Sequence, residues 1–335
     1  MELGDLARRL AAFAEAHAEA PARVDDVRGF SHSHGGLTYG FDWIEGPRAE
    51  RRRFVIRLAP PGVRRSGNTD VLRQAPLLQT LAAHGFPVPR VCFSGGDARW
   101  FGTDYVIFEH CPGRAFVVWD PDPAFSRSPD AVAPLWHHAV ELLARVHTFD
   151  WSAHLGDWEA PTPIEREVER WDPILVQAAE SAWVALGERV RERLVASPPP
   201  ASPLGLLHGD CQPSNILFGE DGSVSALLDW ELSSIGSQYY DLGWLVMIGD
   251  RDSWHPDWAP VTPLAPEDLV ARYRQLTGRT CDGIAWYRAL ANYKMAVVTG
   301  LYVKLHRSGR RPDPAWEKFG RALPRLFAAA ERLLA

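Results

Sequence analysis

The spacing of apolar residues changes along this chain from helical to strand-like and back to helical. Near the N-terminus, Leu6, Leu10 and Phe13 recur every three or four residues, which predicts an amphipathic helix. Short apolar runs with turn residues between them then predict strands up to about residue 110, with one helix over residues 70–84. Helical patterns predominate afterwards, over residues 135–149, 164–194, 242–248, 284–305 and 319–334.

A strand, a polar loop and a hairpin follow one another beyond the middle of the chain. Residues 204–207 predict a short buried strand, and the polar loop 208–215 comes directly after it. The apolar runs 216–218 and 224–228 predict paired strands, because Gly219-Glu220-Asp221-Gly222 between them has the residues that a hairpin turn needs.

Three polar side chains occupy defined places in this segment. Asn215 ends one strand of the hairpin, Asp229 ends its partner, and Asp210 lies on the preceding loop, so we expect the three to face one point. Magnesium, which bridges nucleotide phosphates, prefers oxygen ligands of this kind, and a carboxylate can orient an attacking hydroxyl. The pattern therefore predicts phosphoryl transfer, with Asn215 and Asp229 as metal ligands and Asp210 as the catalytic base.

Composition narrows the class of protein. The 335 residues suffice for two domains, and 46% hydrophobic with 23% charged residues is ordinary for a soluble globular protein. A net charge of -6 gives no reason to expect nucleic acid or an anionic membrane as partner, and no apolar run is long enough to span a bilayer. The four cysteines lack metal-binding spacing and favour a reducing compartment, so we expect a cytoplasmic protein.

His208-Gly209-Asp210 with Asn215, followed by Asp229-Trp230-Glu231, resembles the catalytic segment of the aminoglycoside phosphotransferase-like (APH/choline kinase-type) family. The resemblance implies an α+β, protein-kinase-like two-lobed fold that uses ATP and Mg²⁺. A small β-rich lobe, residues 1–110, would bind the nucleotide, and a larger, mainly helical lobe, residues 111–335, would carry catalysis and substrate binding.

The same resemblance implies two supporting residues around the catalytic loop. Asp241 would support the loop, and His208 would brace it rather than transfer protons. The family usually has Gly-Asp-Pro before this aspartate, whereas this chain has Gly236-Ser237-Gln238, so the turn at this point departs from the family pattern.

In the N-terminal part, candidate phosphate contacts lie on a glycine-rich turn and on a strand. Gly35 and Gly36 would let backbone N–H groups approach phosphate closely. Arg57, on the strand over residues 53–58, would anchor the phosphates, at a position where the family often has Lys. The family's glutamate partner for this cation aligns with Gln74, which would orient Arg57 by a hydrogen bond.

The segment from Glu109 to Gly113, which includes Cys111, corresponds to the hinge whose backbone groups meet adenine in the family. The arginine strand ending in Leu58-Ala59-Pro60 and the later Pro87-Val88-Pro89 resemble the subgroup associated with acyl-CoA dehydrogenases. In that subgroup, arginine is usual at the position of Arg57.

The charge of one C-terminal stretch suggests which class of molecule accepts the phosphate. Residues 283–312 contain no Asp or Glu but six basic residues, and in the family this region lines the acceptor pocket. Aminoglycosides are polycations and require acidic surroundings, so the count favours an anionic or acyl acceptor such as a hydroxy acid or a hydroxyacyl-CoA. A solvated helix face would give the same count.

Two other functions remain open from the sequence. Arg57, Gln74 and the altered Gly-Asp-Pro turn are compatible with a nucleotide-binding regulatory module, a pseudokinase, that phosphorylates nothing. A metal hydrolase built on the His208 motif is weaker, because a single histidine cannot make a zinc site. The sequence leaves the oligomeric state undetermined.

Overall fold

The computed structural model describes residues 2–30 and 37–335. The chain forms two compact units: the first comprises Met1–Gly113 and Leu217–Leu232, and the second comprises Arg114–Ile216 and Ser233–Ala335. A single division at residue 110 is expected from the sequence. The structure differs from that division chiefly because Leu217–Leu232 packs with the strand-rich unit.

The first unit is built on an antiparallel sheet. Its elements before Gly113 are α1 (Leu3–His17), β1 (Ala22–Gly29), β2 (Leu37–Glu45), β3 (Glu50–Leu58), α2 (Gln74–Ala83), β4 (Val91–Gly95), α3 (Ala98–Phe101) and β5 (Tyr105–Glu109). The five strands have the order β1-β2-β3-β5-β4. All neighbouring strands run antiparallel, and the register pairs Thr38 with Arg57 and Arg57 with Val106.

The core of this unit lies between the sheet and α1. Phe41 on β2 and both Phe54 and Ile56 on β3 are almost completely buried. They form one apolar cluster with Leu10 and Phe13 of α1, the helix that the N-terminal spacing predicts. Burying each such side chain contributes about 1.5–3 kcal/mol, so this packing holds β3 firmly in place.

The chain after Gly113 is mainly helical. Its elements are β6 (Arg114–Ala115), α4 (Pro129–Thr148), α5 (Trp151–Leu155), α6 (Ile164–Glu169), α7 (Asp172–Leu175), α8 (Ser181–Ala196), β7 (Leu204–Leu207), β8 (Ile216–Phe218), β9 (Val224–Leu227), β10 (Ser234–Ser237), α9 (Tyr239–Gly249), α10 (Pro266–Thr277), α11 (Ile284–Arg307), α12 (Ala315–Gly320) and α13 (Leu323–Leu333). In residues 2–30 and 37–335, no helix combines the length and apolarity that crossing a bilayer requires.

Helices α9 and α11 form the centre of the second unit. Every residue of α9 is buried, which fits its apolar composition on all sides. The two helices approach closely at Gly243, where a Cβ atom would lie 2.6 Å from the backbone carbon of Tyr287. A larger residue at Gly243 would therefore push apart the two helices that surround the loop after β7.

Some elements differ from the predicted ones. Helix α4 begins at Pro129, six residues before the helix predicted over residues 135–149, because proline is well tolerated in the first turn of a helix. The helical region 164–194, which Trp171-Asp172-Pro173 is expected to interrupt, is divided there between α6 and α7 and a second time between α7 and α8. Strand β10, which the sequence did not predict, pairs antiparallel with β7 and places Ser234 opposite Leu207.

Candidate active site

The loop after β7 has an unusual backbone that one carboxylate holds in place. Gly209 has a φ of +88°, a conformation that glycine adopts without a steric penalty. The buried Asp241 on α9 accepts hydrogen bonds from the backbone N–H groups of His208 (2.6 Å) and Gly209 (2.8 Å). These are the contacts that a supporting role for Asp241 would need.

Asp241 also lies next to a buried histidine. His147 Nε2 is 3.5 Å from Asp241 Oδ2, and the Nδ1 atom of His147 is 2.8 Å from the Tyr273 hydroxyl. Burial acts to raise the pKa of Asp241, but His147 and the His208 backbone N–H outweigh it and lower this pKa. Burial lowers the pKa of His147. The carboxylate is therefore kept ionised under the loop.

The side chain of Asp210 is held by three donors. Gln212 Nε2 and Trp244 Nε1 donate to its Oδ1 atom, at 2.8 Å and 2.6 Å. Asn215 Nδ2 donates to Oδ2 and to the Asp210 carbonyl, both at 2.8 Å. Because Asn215 uses its amide nitrogen in this way, its Oδ1 atom remains available as an acceptor.

A buried lysine approaches the same loop from α11. Lys294 is 4% exposed, and its Nζ atom donates to the Gly209 carbonyl at 3.2 Å. The same atom lies 3.9 Å from the centre of the Trp244 ring, a cation–π distance. Burial lowers the pKa of Lys294 to about 8, while the charges of Asp210 and Glu167 oppose this shift.

The first unit contains a cavity of about 390 Å³ beside β3. Its walls are mostly apolar and include side chains from the sheet, from α2 and from the β8–β9 hairpin; examples are Val55, Leu78, Phe108, Leu217 and Leu228. The polar residues that line it include Thr38, Arg57, Gln74, Glu109, His110 and Asp229. An apolar cavity with few polar groups is typical of a site for a small ligand.

Arg57 brings a positive charge to this cavity and is itself 9% exposed. Its Nη1 atom lies 3.3 Å from Asp229 Oδ1, and its Nη2 atom pairs with Glu231 Oε2. The expected hydrogen bond to Gln74 is not among the contacts that Arg57 makes in the described part of the chain. Gln74 is 2% exposed, and its Nε2 atom has no hydrogen-bond partner there.

The remaining candidates of the first unit differ in their surroundings. Glu109 and Cys111 both line the cavity. The Glu109 carboxylate pairs with Arg90 and Arg52, and the pKa of Glu109 is lowered mainly by Arg90. Burial raises the pKa of the Cys111 thiol. Gly35 and Gly36 lie outside the described residues.

The proposed residues thus fall into two sets. Asp210, Asn215, His208 and Asp241 lie together in the second unit. In the first unit, the cavity brings together five others: Arg57, Gln74, Glu109, Cys111 and Asp229.

Sequence reasoning missed four polar contacts. They are the hydrogen bonds from Gln212 and Trp244 to Asp210, the hydrogen bond from Lys294 to the Gly209 carbonyl, and the ion pair of Glu231 with Arg57. A signal existed for Lys294, because a lysine in the middle of an apolar helix must find partners when it is buried.

The basic stretch 283–312 is less open to a ligand than its charge suggests. Arg288 pairs with Asp250, and Arg307 pairs with Glu180 and Glu317. Lys294 is buried. The sequence count therefore overstated the positive charge that an acceptor could meet.

Comparison with known proteins identifies the family. Residues 43–290 match the APH family of phosphotransferase enzymes, and the chain belongs to this family. Acyl-CoA dehydrogenase family member 11 of Gallus gallus is 26% identical over 317 residues, which are 90% of this chain and 39% of that protein. The chain therefore spans about two fifths of the length of this relative.

Solved structures show the same fold. A protein of Ralstonia eutropha JMP134, described as an aminoglycoside phosphotransferase, has a TM-score of 0.75 at 23% identity and covers 97% of both chains. The APH(4)-Ia phosphotransferase in complex with AMP-PNP and hygromycin B has a TM-score of 0.61 at 15% identity, covering 96% of this chain and 97% of its own. The predicted family and the kinase-like α+β fold are confirmed.

Proposed function

We propose that this chain is a kinase that uses ATP and Mg²⁺ to phosphorylate a hydroxyl group of a small molecule. The observation that carries the proposal is the carboxylate of Asp210, which is oriented by Gln212, Asn215 and Trp244. A carboxylate held in this way can orient an acceptor hydroxyl and take its proton. Placement and charge neutralisation supply most of the acceleration in phosphoryl transfer, so this rigidity has a direct catalytic use.

The donor chemistry of Asp229 and Asn215 fits magnesium, which prefers hard oxygen ligands. The Asp229 side chain is 44% exposed and its φ is +62°, a conformation rare for residues other than glycine and enriched at functional sites. Asn215 keeps Oδ1 available because its Nδ2 atom is bound to Asp210. Bound by these two residues, Mg²⁺ would neutralise charge on the nucleotide phosphates.

The cavity of the first unit is the proposed nucleotide site. Apolar walls such as Val55 and Phe108 suit a purine ring, and Arg57 supplies a cation for phosphate. The backbone of Glu109 and Cys111 would meet the purine edge. The chain shares its fold with a phosphotransferase solved with AMP-PNP, which supports nucleotide binding.

For the acceptor we propose an anionic or acyl hydroxy compound, such as a short hydroxy acid or its CoA thioester. The similarity to acyl-CoA dehydrogenase family member 11 supports an acyl compound. In the basic stretch, Lys304 and Arg310 are exposed and can still meet an anion.

A second candidate is a nucleotide-binding regulatory module that transfers no phosphate. The ion pair of Arg57 with Asp229 favours it, because this pair occupies both the proposed phosphate anchor and a proposed metal ligand.

Acceptor-stimulated ATP consumption separates the two candidates. The purified chain is incubated with Mg²⁺, ATP and a panel of hydroxy acids, hydroxyacyl-CoAs, sugars and aminoglycosides. We expect stimulation by one acceptor class, loss of that stimulation in Asp210→Asn with ATP binding retained, and no Mg²⁺-dependent turnover in Asp229→Ala. The exposed Asp157→Asn is the matched control. ATP binding without stimulation by any acceptor would support the regulatory module instead.

A further inference from the structure

The buried partner of Arg57 is a residue to which the sequence gave no role. Glu231 has a side chain that is 9% exposed and pairs with Arg57, whose side chain is 10% exposed. Asp229, the other partner, is 44% exposed. A buried guanidinium needs a counter-charge, because an unpaired charge is expensive to remove from water. Glu231 is placed to supply it.

The backbone around Glu231 is fixed independently of this ion pair. Arg73 Nη1 donates to the Glu231 carbonyl at 3.1 Å. The preceding residue, Trp230, is 1% exposed and donates from Nε1 to the Leu227 carbonyl at 2.9 Å. Glu231 therefore presents its carboxylate to Arg57 from a rigid turn.

Gln74 lines the same cavity but brings no charge. It begins α2, it is buried, and its Nε2 atom is unpaired within the described residues. The Gln74 side chain thus cannot neutralise the charge of Arg57, and its amide nitrogen remains an unsatisfied donor within the described residues.

We propose that Glu231 is the positioning residue that holds Arg57 for the nucleotide phosphates. It supplies the negative charge that the neutral Gln74 does not bring to Arg57. This inference rests on the proposed function. With Arg57 anchored by Glu231, Asp229 does not have to neutralise the arginine and is left for the metal.

A charge-relocation experiment tests the proposal. The experiment compares Glu231→Gln with the double variant Gln74→Glu/Glu231→Gln. The control is Glu220→Gln, at an exposed glutamate in the turn between β8 and β9. ATP binding, kcat and KM for ATP and for the acceptor, and the thermal unfolding temperature are measured for each protein.

We expect Glu231→Gln to lose roughly 10- to 100-fold in kcat/KM for ATP, as is typical when a positioning contact is lost, while the KM for the acceptor changes less than about threefold. The double variant should regain at least about fivefold, because it places a carboxylate at Gln74, which lines the same cavity as Arg57. Glu220→Gln should match the wild type. If Glu231→Gln does not fold, Glu231→Asp is used, and its ATP kinetics should lie roughly 3- to 10-fold below the wild type.

The role of Glu231 would be overturned if Glu231→Gln or Glu231→Asp had the ATP kinetics of the wild type. It would also be overturned if the double variant were no better than Glu231→Gln. Failure of the proposed function looks different: the wild type itself would then show no acceptor-stimulated turnover. ATP binding, measured without turnover, would still report whether Glu231 matters for the nucleotide.

Discussion

Replacement of Lys294 by methionine should change how stability depends on pH. The Lys294 ammonium is buried against Trp244 and bonds to the Gly209 carbonyl. Its pKa is lowered from 10.5 to about 8, first by burial, with Asp210 and Glu167 acting in the opposite direction. Methionine has a similar length and no charge, so the variant removes the titration while filling most of the space.

The sign follows from proton binding. Because the pKa of Lys294 is about 8 in the folded chain and 10.5 when exposed, the unfolded state binds more protons between these two values. The free energy of unfolding therefore rises with pH in this window. Below pH 8 the buried charge costs about 3 kcal/mol, and above pH 10.5 that cost is gone. Asp241 and Arg170 also act on Lys294, and their charges do not change in this range.

Urea unfolding at pH 7, 9 and 10, followed by tryptophan fluorescence, tests this prediction. The free energy of unfolding of the wild type minus that of Lys294→Met should rise by roughly 1 kcal/mol from pH 7 to 9 and by roughly 2–3 kcal/mol by pH 10. The exposed Lys304→Met, on the same helix, is the control and should show a constant difference. A constant difference for Lys294→Met as well would refute the reasoning.

Two further substitutions examine the hydrogen bonds of the loop after β7. Trp244→Phe removes the indole donor to Asp210; kcat should fall about 10- to 100-fold with little change in KM for ATP, since a hydrogen bond to a charged group contributes about 1.5–3 kcal/mol. An unchanged kcat would contradict the positioning of Asp210. Asp241→Asn leaves one acceptor oxygen for the N–H groups of His208 and Gly209, so thermal or urea unfolding should show a loss of about 2–3 kcal/mol, and equal stability would contradict the support by Asp241.

Local pattern was enough to predict much of this chain. The predicted strand over residues 204–207 coincides with β7, and the predicted hairpin coincides closely with β8 and β9. Short apolar runs and a four-residue turn determine such elements locally. The order of Asp210, Asn215 and Asp229 along the chain indicated the chemistry of phosphoryl transfer, and the family is confirmed.

Only the tertiary structure decided the partners of these residues. Trp244 and Lys294 reach the loop after β7 from two different helices, and Glu231 lies 174 positions after Arg57 in the sequence. Such contacts follow from how whole elements pack, and no periodicity of apolar residues encodes them. The sequence therefore determined which chemical groups the proposed site contains, while packing determined which carboxylates pair with Arg57 and which donors bond to Asp210.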